Sequence, residues 1–237
     1  PMAENTLQYD WIVRLVTNLR RLLKDRPAFV AGDLLWYPVQ VDAPPVPCQA
    51  PDVLVALGRS PGYRGSYKQW EEDNIAPQVV FEIISPSNTA TEMLRKQNFY
   101  SRYGVLEVFF YNPENQDFWG LVRSHPDQGF SPLTLLQLPW VSPLLNIRFA
   151  LGAMGLEIFY PNGEPFKEPG DFADERDRAF AKLRELGIDP ENCKAYGLTS
   201  RQMGNRSLMI RTAEPLRQRK NKILGELLIE EPVSLGY

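Results

Sequence analysis

Between Gln78 and Ile84 the chain reads Gln-Val-Val-Phe-Glu-Ile-Ile, an apolar run with one carboxylate, Glu82, set inside it. A short run of β-branched and aromatic residues predicts a strand buried on both faces, and such a strand requires a sheet covered by other layers on each side. An ionised carboxylate in that setting costs several kcal/mol, roughly, unless a cation meets it. The sequence offers two ways to neutralise Glu82: Lys96 on the following helix, or a metal shared with Asp52 on the preceding strand. A third possibility is a half-exposed edge strand with Glu82 turned to solvent.

The remaining pattern alternates strands and helices. Leu7, Trp11, Leu15, Val16, Leu19, Leu22 and Leu23 have helical spacing, which predicts an amphipathic first helix over 7–23. Ala28 to Val41 is β-rich, Ala43 to Pro51 is a Pro-rich loop, and Asp52 to Leu57 is a short strand. Gly58 to Asn74 reads as an exposed excursion, with Lys68, Glu71, Glu72 and Asp73 on a solvated face. Thr89 and Glu92 have the spacing of a capping box leading into a helix over Met93–Tyr103, which Gly104 stops. A strand over Val105–Tyr111 follows. Hairpins are expected from Phe118–Ser124 with Phe130–Leu136 and from Leu145–Leu151 with Leu156–Tyr160, then a charged helix from Asp171 to Leu186.

The expected fold is therefore α/β (α+β), a mixed central sheet flanked by helices with added hairpins. The expected organisation is one domain over 1–170, a C-terminal helix over 171–190 and an unassigned tail over 191–237.

Composition narrows the chemistry. The 237 residues carry a formal charge of -3, which argues against nonspecific coating of nucleic acid but allows a local basic groove. The one histidine, His125, lies among turn residues, so multi-histidine zinc sites are excluded. Two cysteines, Cys48 and Cys193, form no disulfide framework, and no apolar stretch is long enough to cross a bilayer. Pro1 ahead of Met2 reads as an addition to a start. A soluble, unexported protein of the reducing cytoplasm is expected.

Catalysis in such a chain rests on carboxylates, lysine and an oxygen-loving metal. Two acids at the ends of neighbouring strands can hold a hard divalent cation, with a backbone carbonyl, here that of Ile83, as a third oxygen. Asp52 and Glu82 have that placement, although an Asp beside a Pro at a strand start is also an ordinary turn or cap residue. Met93, Lys96, Tyr100 and Tyr103 recur at i, i+3, i+7 and i+10, so Lys96 shares the helix face turned to the sheet. There it serves as a water-orienting catalytic group, as a plain ion-pair partner for Glu82, or as a side chain that snorkels along the core edge. Asp33, after Gly32, is a further acid that joins the site or starts a turn.

These residues, in this order, resemble the Uma-two family of restriction-endonuclease-like proteins. The likeness is carried by Pro51-Asp52, Phe81-Glu82-Ile83-Ile84-Ser85-Pro86-Ser87, Lys96 with Tyr100, and Gly104-Val105-Leu106-Glu107-Val108. Ala31 to Pro38, Gly65-Ser66-Tyr67 and Leu183 to Pro190 support it, over about Thr6 to Glu191. The resemblance implies the PD-(D/E)xK nuclease fold and Mg²⁺- or Mn²⁺-dependent hydrolysis of phosphodiester bonds in DNA. Asp52 and Glu82 would be the metal ligands and Asp52, Glu82 and Lys96 the catalytic set. One departure stands out: the superfamily lysine lies two residues after the acid, where this chain has Ile84, so Lys96 would replace it from the helix. The competing reading is an inactive nuclease-fold binding protein in which Glu82 and Lys96 form a structural ion pair. The hairpins after Tyr111 offer an edge or face through which a homodimer could form.

Overall fold

The computed structural model describes residues 5–186 and 189–190. Helix α1 (Thr6–Leu22) starts at Asn5, whose side chain accepts the Gln8 N–H at 2.8 Å. Gln8, Ile12, Leu15 and Leu19 turn inward at helical spacing. Leu7, expected in the apolar stripe, is 40% exposed instead, and polar Gln8 takes the first buried turn.

Strands β1 (Ala28–Gly32), β2 (Trp36–Tyr37), β3 (Val53–Leu57), β4 (Tyr67–Lys68) and β5 (Val79–Ile83) precede helix α2 (Ala90–Arg102). After it come β6 (Glu107–Asn112), β7 (Asp117–Val122), β8 (Ser131–Thr134), β9 (Trp140–Val141), β10 (Arg148–Gly152), β11 (Gly155–Phe159) and helix α3 (Pro169–Glu185). The main sheet is six-stranded in the order β1-β3-β5-β6-β7-β8. Its one parallel pair, β5 with β6, is joined by α2, as a crossover connection requires, and the other neighbours are antiparallel. Thr89 caps α2 through the Glu92 N–H at 3.2 Å, and Gly104, at φ +96, allows the turn out of it.

Every residue of β5 is buried, because both faces of the sheet are covered. Side chains alternate across it. Phe81 and Ile83 join Ile12, Leu15 and Leu19 of α1 and Phe149 and Ile158 of the β9–β11 sheet. Val80 joins Met93 and Tyr100 of α2, with Trp36 and Tyr67 closing the same layer. Glu82 is 1% exposed, so the edge-strand possibility does not hold. The contact of α1 with β1 is close at Gly32, where an added Cβ would lie 3.0 Å from Ile12 and 3.1 Å from Val16.

Three expectations need correction. The excursion over 58–74 is not wholly exposed: β4 pairs in parallel with β2 and carries Tyr67, 0% exposed, into the core. Glu72 leaves the solvated face because Arg64 holds it at 2.5 Å. Strand β9, which pairs with β10, was not anticipated, since two residues show no periodicity. His125 sits in the expected exposed turn. By contacts the chain divides into two compact units, Pro1–Ala179 and Phe180–Tyr237. Residues 187–188 of the expected C-terminal helix and the 191–237 tail, with Cys193, fall outside the described residues. Among the described residues no helix is long and apolar enough to cross a membrane.

Candidate active site

Register places the acids. β3 and β5 run antiparallel with Val53 opposite Phe81, so Asp52, one residue before β3, lies beside Glu82 and Ile83. Its Oδ2 accepts the Ile83 N–H at 2.6 Å. On the other side the Asp33 N–H donates to the Asp52 carbonyl at 3.2 Å, so the ends of β1, β3 and β5 gather at one edge of the sheet. Asp33 adopts φ 48, a left-handed conformation that a short polar side chain tolerates. It is an exposed residue at the rim, not part of the buried cluster.

Helix α2 supplies the groups that meet Glu82. Lys96 Nζ donates to Glu82 Oε2 at 2.8 Å, and the Tyr100 hydroxyl donates a short hydrogen bond to Oε1. Lys96 also lies 3.8 Å from Glu92 at the rim. The inward face deduced for Lys96 is thus the face it occupies. Helix α1 adds Gln8, whose Nε2 donates to the Ile83 carbonyl at 3.0 Å and approaches Asp52 Oδ1 at 3.5 Å.

Burial dominates the electrostatics. It raises the Glu82 carboxyl, with the neighbouring Asp52 charge adding to the rise and Lys96 and Tyr100 opposing it, to a pKa of about 7. Burial also raises Asp52, against the hydrogen bond from Ile83 and the charge of Lys96. For Lys96 burial acts to remove the proton, but the adjacent Glu82 carboxylate outweighs it and the ammonium is held. Tyr100 is pushed well up by burial and by Glu82, so its hydroxyl stays a donor.

Asp52, Glu82 and the Ile83 carbonyl form a donor set of hard oxygens, suited in kind to Mg²⁺ or Mn²⁺ rather than to a soft metal. The mutual repulsion of the two carboxylates, expressed in the raised Glu82, is what a divalent cation relieves. Among the described residues no group of three or more His, Cys, Asp or Glu side chains gathers as a metal cluster, so two carboxylates are what the side chains offer. Mg²⁺ ordinarily keeps several waters and needs no more.

Two residues of this site carried no role in the sequence reading. Tyr100 was visible on the inward stripe of α2, and its hydroxyl at the core was the signal. Gln8 was masked by its neighbour Leu7. Its signal would have been the 8-12-15-19 spacing, which puts an amide on the apolar face. Of the cations in the excursion over 58–74, Arg59, Arg64 and Lys68 are tied to Asp73, Glu72 and Glu71, and Arg64 also stacks 4.0 Å over Phe29.

A family model described as "Uma2: Putative restriction endonuclease" matches residues 3–150, more than half of the chain. A solved structure described as "a putative nuclease belonging to DUF820" from Anabaena variabilis is similar at 15% identity with a TM-score of 0.44, over 62% of this chain and 76% of that one. No curated protein matches.

Proposed function

Taking as premise that the chain belongs to the Uma2 family, we propose that it is a metal-dependent endonuclease that hydrolyses phosphodiester bonds of DNA, with Asp52, Glu82 and the Ile83 carbonyl holding Mg²⁺ or Mn²⁺. The observation that carries this reading is the convergence, at one sheet edge, of two neighbouring carboxylates and an inward lysine 2.8 Å from the buried one. Bound there, the cation would supply Lewis acidity toward a phosphate and activate water.

The chain's own groups then have distinct tasks. Lys96 keeps its proton and presents a fixed positive charge, which orients the attacking water and offsets charge building on the phosphoryl oxygens. Tyr100 fixes the Glu82 carboxylate, and Gln8 steadies Asp52 and the Ile83 carbonyl. Neither can serve as the base, since one is an amide and the other is a phenol held well above its ordinary pKa. We extend the reading to the reducing cytoplasm, in keeping with the exposed free thiol of Cys48, and to a homodimer formed through the hairpins after Tyr111.

Incubation with supercoiled plasmid and with single-stranded DNA, with Mg²⁺ or Mn²⁺ and with EDTA, tests the assignment. Cleavage is expected only with the divalent ion, and it should be abolished in Glu82→Ala. Cleavage that survives this change would sink the site. A second reading, an inactive binding protein, is favoured by one observation: both Glu82 oxygens already have partners in Lys96 and Tyr100. On that reading calorimetry finds no divalent binding, and Glu82→Ala loses stability alone.

A further inference from the structure

A cleft of about 380 Å³ opens where the end of α1 meets β1, walled by Leu23, Phe29 and Pro61 and bordered by Arg20, Lys24 and Arg26. None of the described residues that line it is acidic. Among the described residues the cations bordering it have one ion-pair partner, Asp25, 4.0 Å from Lys24 and itself 86% exposed. Cations in the last turn of a helix ordinarily offset the helix dipole, and Arg20 and Arg21 occupy that turn. That explanation does not reach Arg26, which lies beyond the helix. Nor does it describe Arg20, which directs Nε and Nη2 to the Val30 carbonyl of β1 at 3.1 and 3.0 Å, and so leaves its remaining donors fixed in orientation. A guanidinium held in this way, with two further cations around a concave surface, is a fitting receptor for phosphate oxygens.

We propose that this cleft binds backbone phosphates of the polynucleotide whose cleavage is assigned to the Asp52–Glu82 site, as an anchor distant from that site. This rests on the nuclease reading for the identity of the ligand. The cleft borders Ala28 to Val30, whereas the site lies past Gly32, at the other end of the same strand. At about 3.4 Å per residue along β1 and about 4.8 Å per strand across to Asp52 and Glu82, the separation is roughly 11–20 Å. A strand of B-form DNA carries one phosphate per ~3.4 Å of rise, so the anchor meets phosphates about three to six nucleotides from the scissile one. The division of labour has an electrostatic reason. Asp52 in the site and Asp33 and Glu92 at its rim outnumber Lys96 even with Glu82 protonated, so before metal enters the site repels a polyanion, and attraction must come from elsewhere.

The test is fluorescence anisotropy of the full chain with a labelled duplex of about 20 base pairs, in EDTA so that nothing is cut, over a range of salt. Lys24→Gln/Arg26→Gln changes two exposed side chains and is expected to reduce the slope of log K against log salt by about two, at roughly 0.9 per lost phosphate contact. The urea midpoint should not move. Asp52→Asn is expected to keep the wild-type slope, so failure of the catalytic assignment and failure of the anchor are separate results. Equal slopes for the double variant and wild type, or no duplex binding by wild type at low salt, would overturn the proposal. So would inorganic pyrophosphate that binds the cleft without competing with duplex, since the ligand would then be a small free phosphate compound.

Discussion

Replacing Glu82 by Gln removes one charge and almost no volume, and it isolates the cost of holding that carboxylate in the core. Glu82 is 1% exposed, and burial together with Asp52 raises it from the ordinary 4.5 to about 7. Between those two pH values the folded chain binds a proton at Glu82 that the unfolded chain has lost, so stability falls as pH rises. The contribution is fully present below about pH 4.5 and gone above about pH 7, and the rise corresponds to ~3 kcal/mol, to order of magnitude. Glu82→Gln has no such titration, and its side chain can still accept from the Tyr100 hydroxyl. The assay is urea unfolding of both proteins in EDTA from pH 4.5 to pH 8, read as the difference in unfolding free energy, so that other titrating groups largely cancel. Relative to wild type, the variant should gain roughly 3 kcal/mol across that window and plateau above it. A difference that is flat with pH would refute the reasoning, because it would mean that Lys96 and Tyr100 hold Glu82 ionised at its ordinary pKa. Saturating Mg²⁺ should suppress the pH dependence of wild type alone if Glu82 is a ligand, since the cation takes the place of the proton.

Other perturbations test neighbouring parts of the structure. Tyr100→Phe deletes the donor to Glu82 Oε1 and is expected to cost about 1–3 kcal/mol at pH 8 and less at pH 5, where the carboxyl is protonated; equal losses at both pH values by urea melts would count against it. Glu107, 2% exposed, accepts from Ser142 Oγ at 2.5 Å and from the Leu144 N–H at 3.1 Å. Glu107→Ala strands both donors and should destabilise by about 2–4 kcal/mol, and an unchanged urea midpoint would show that the 142–146 turn is held by other contacts. Millimolar Mg²⁺ should raise the melting temperature of wild type and leave that of Asp52→Asn where it was; an equal rise in both would place the ion elsewhere.

Much of this site was legible because its signals are local. The apolar neighbours of Glu82 announced a strand covered on both faces, and the charge among them announced a need for partners. The helical stripe through Met93, Lys96 and Tyr100 placed the lysine toward the sheet, and Lys96 is found 2.8 Å from Glu82. The capping residue Thr89 and the stop at Gly104 bounded the same helix within a few residues. The rest was not legible because it depends on pairing between distant segments. Gln8 looks like an ordinary helix-surface residue until α1 is laid against β5 and its amide meets the Ile83 carbonyl. Tyr67 looks like part of a solvated loop until β4 pairs with β2 and buries it.

The sequence by itself determined that Lys96 lies on the helix face turned to the sheet and that Glu82 stands out in an apolar strand, since side-chain direction along a strand or a helix follows from fixed periods of the backbone, while the choice between core and edge for Glu82 was the structure's. Only the tertiary structure decided that Asp52 stands beside Glu82, with its Oδ2 on the Ile83 N–H and Gln8 bracing both segments. That placement depends on the antiparallel register of β3 against β5, which the hydrophobic packing of two whole faces selects and which no single segment encodes.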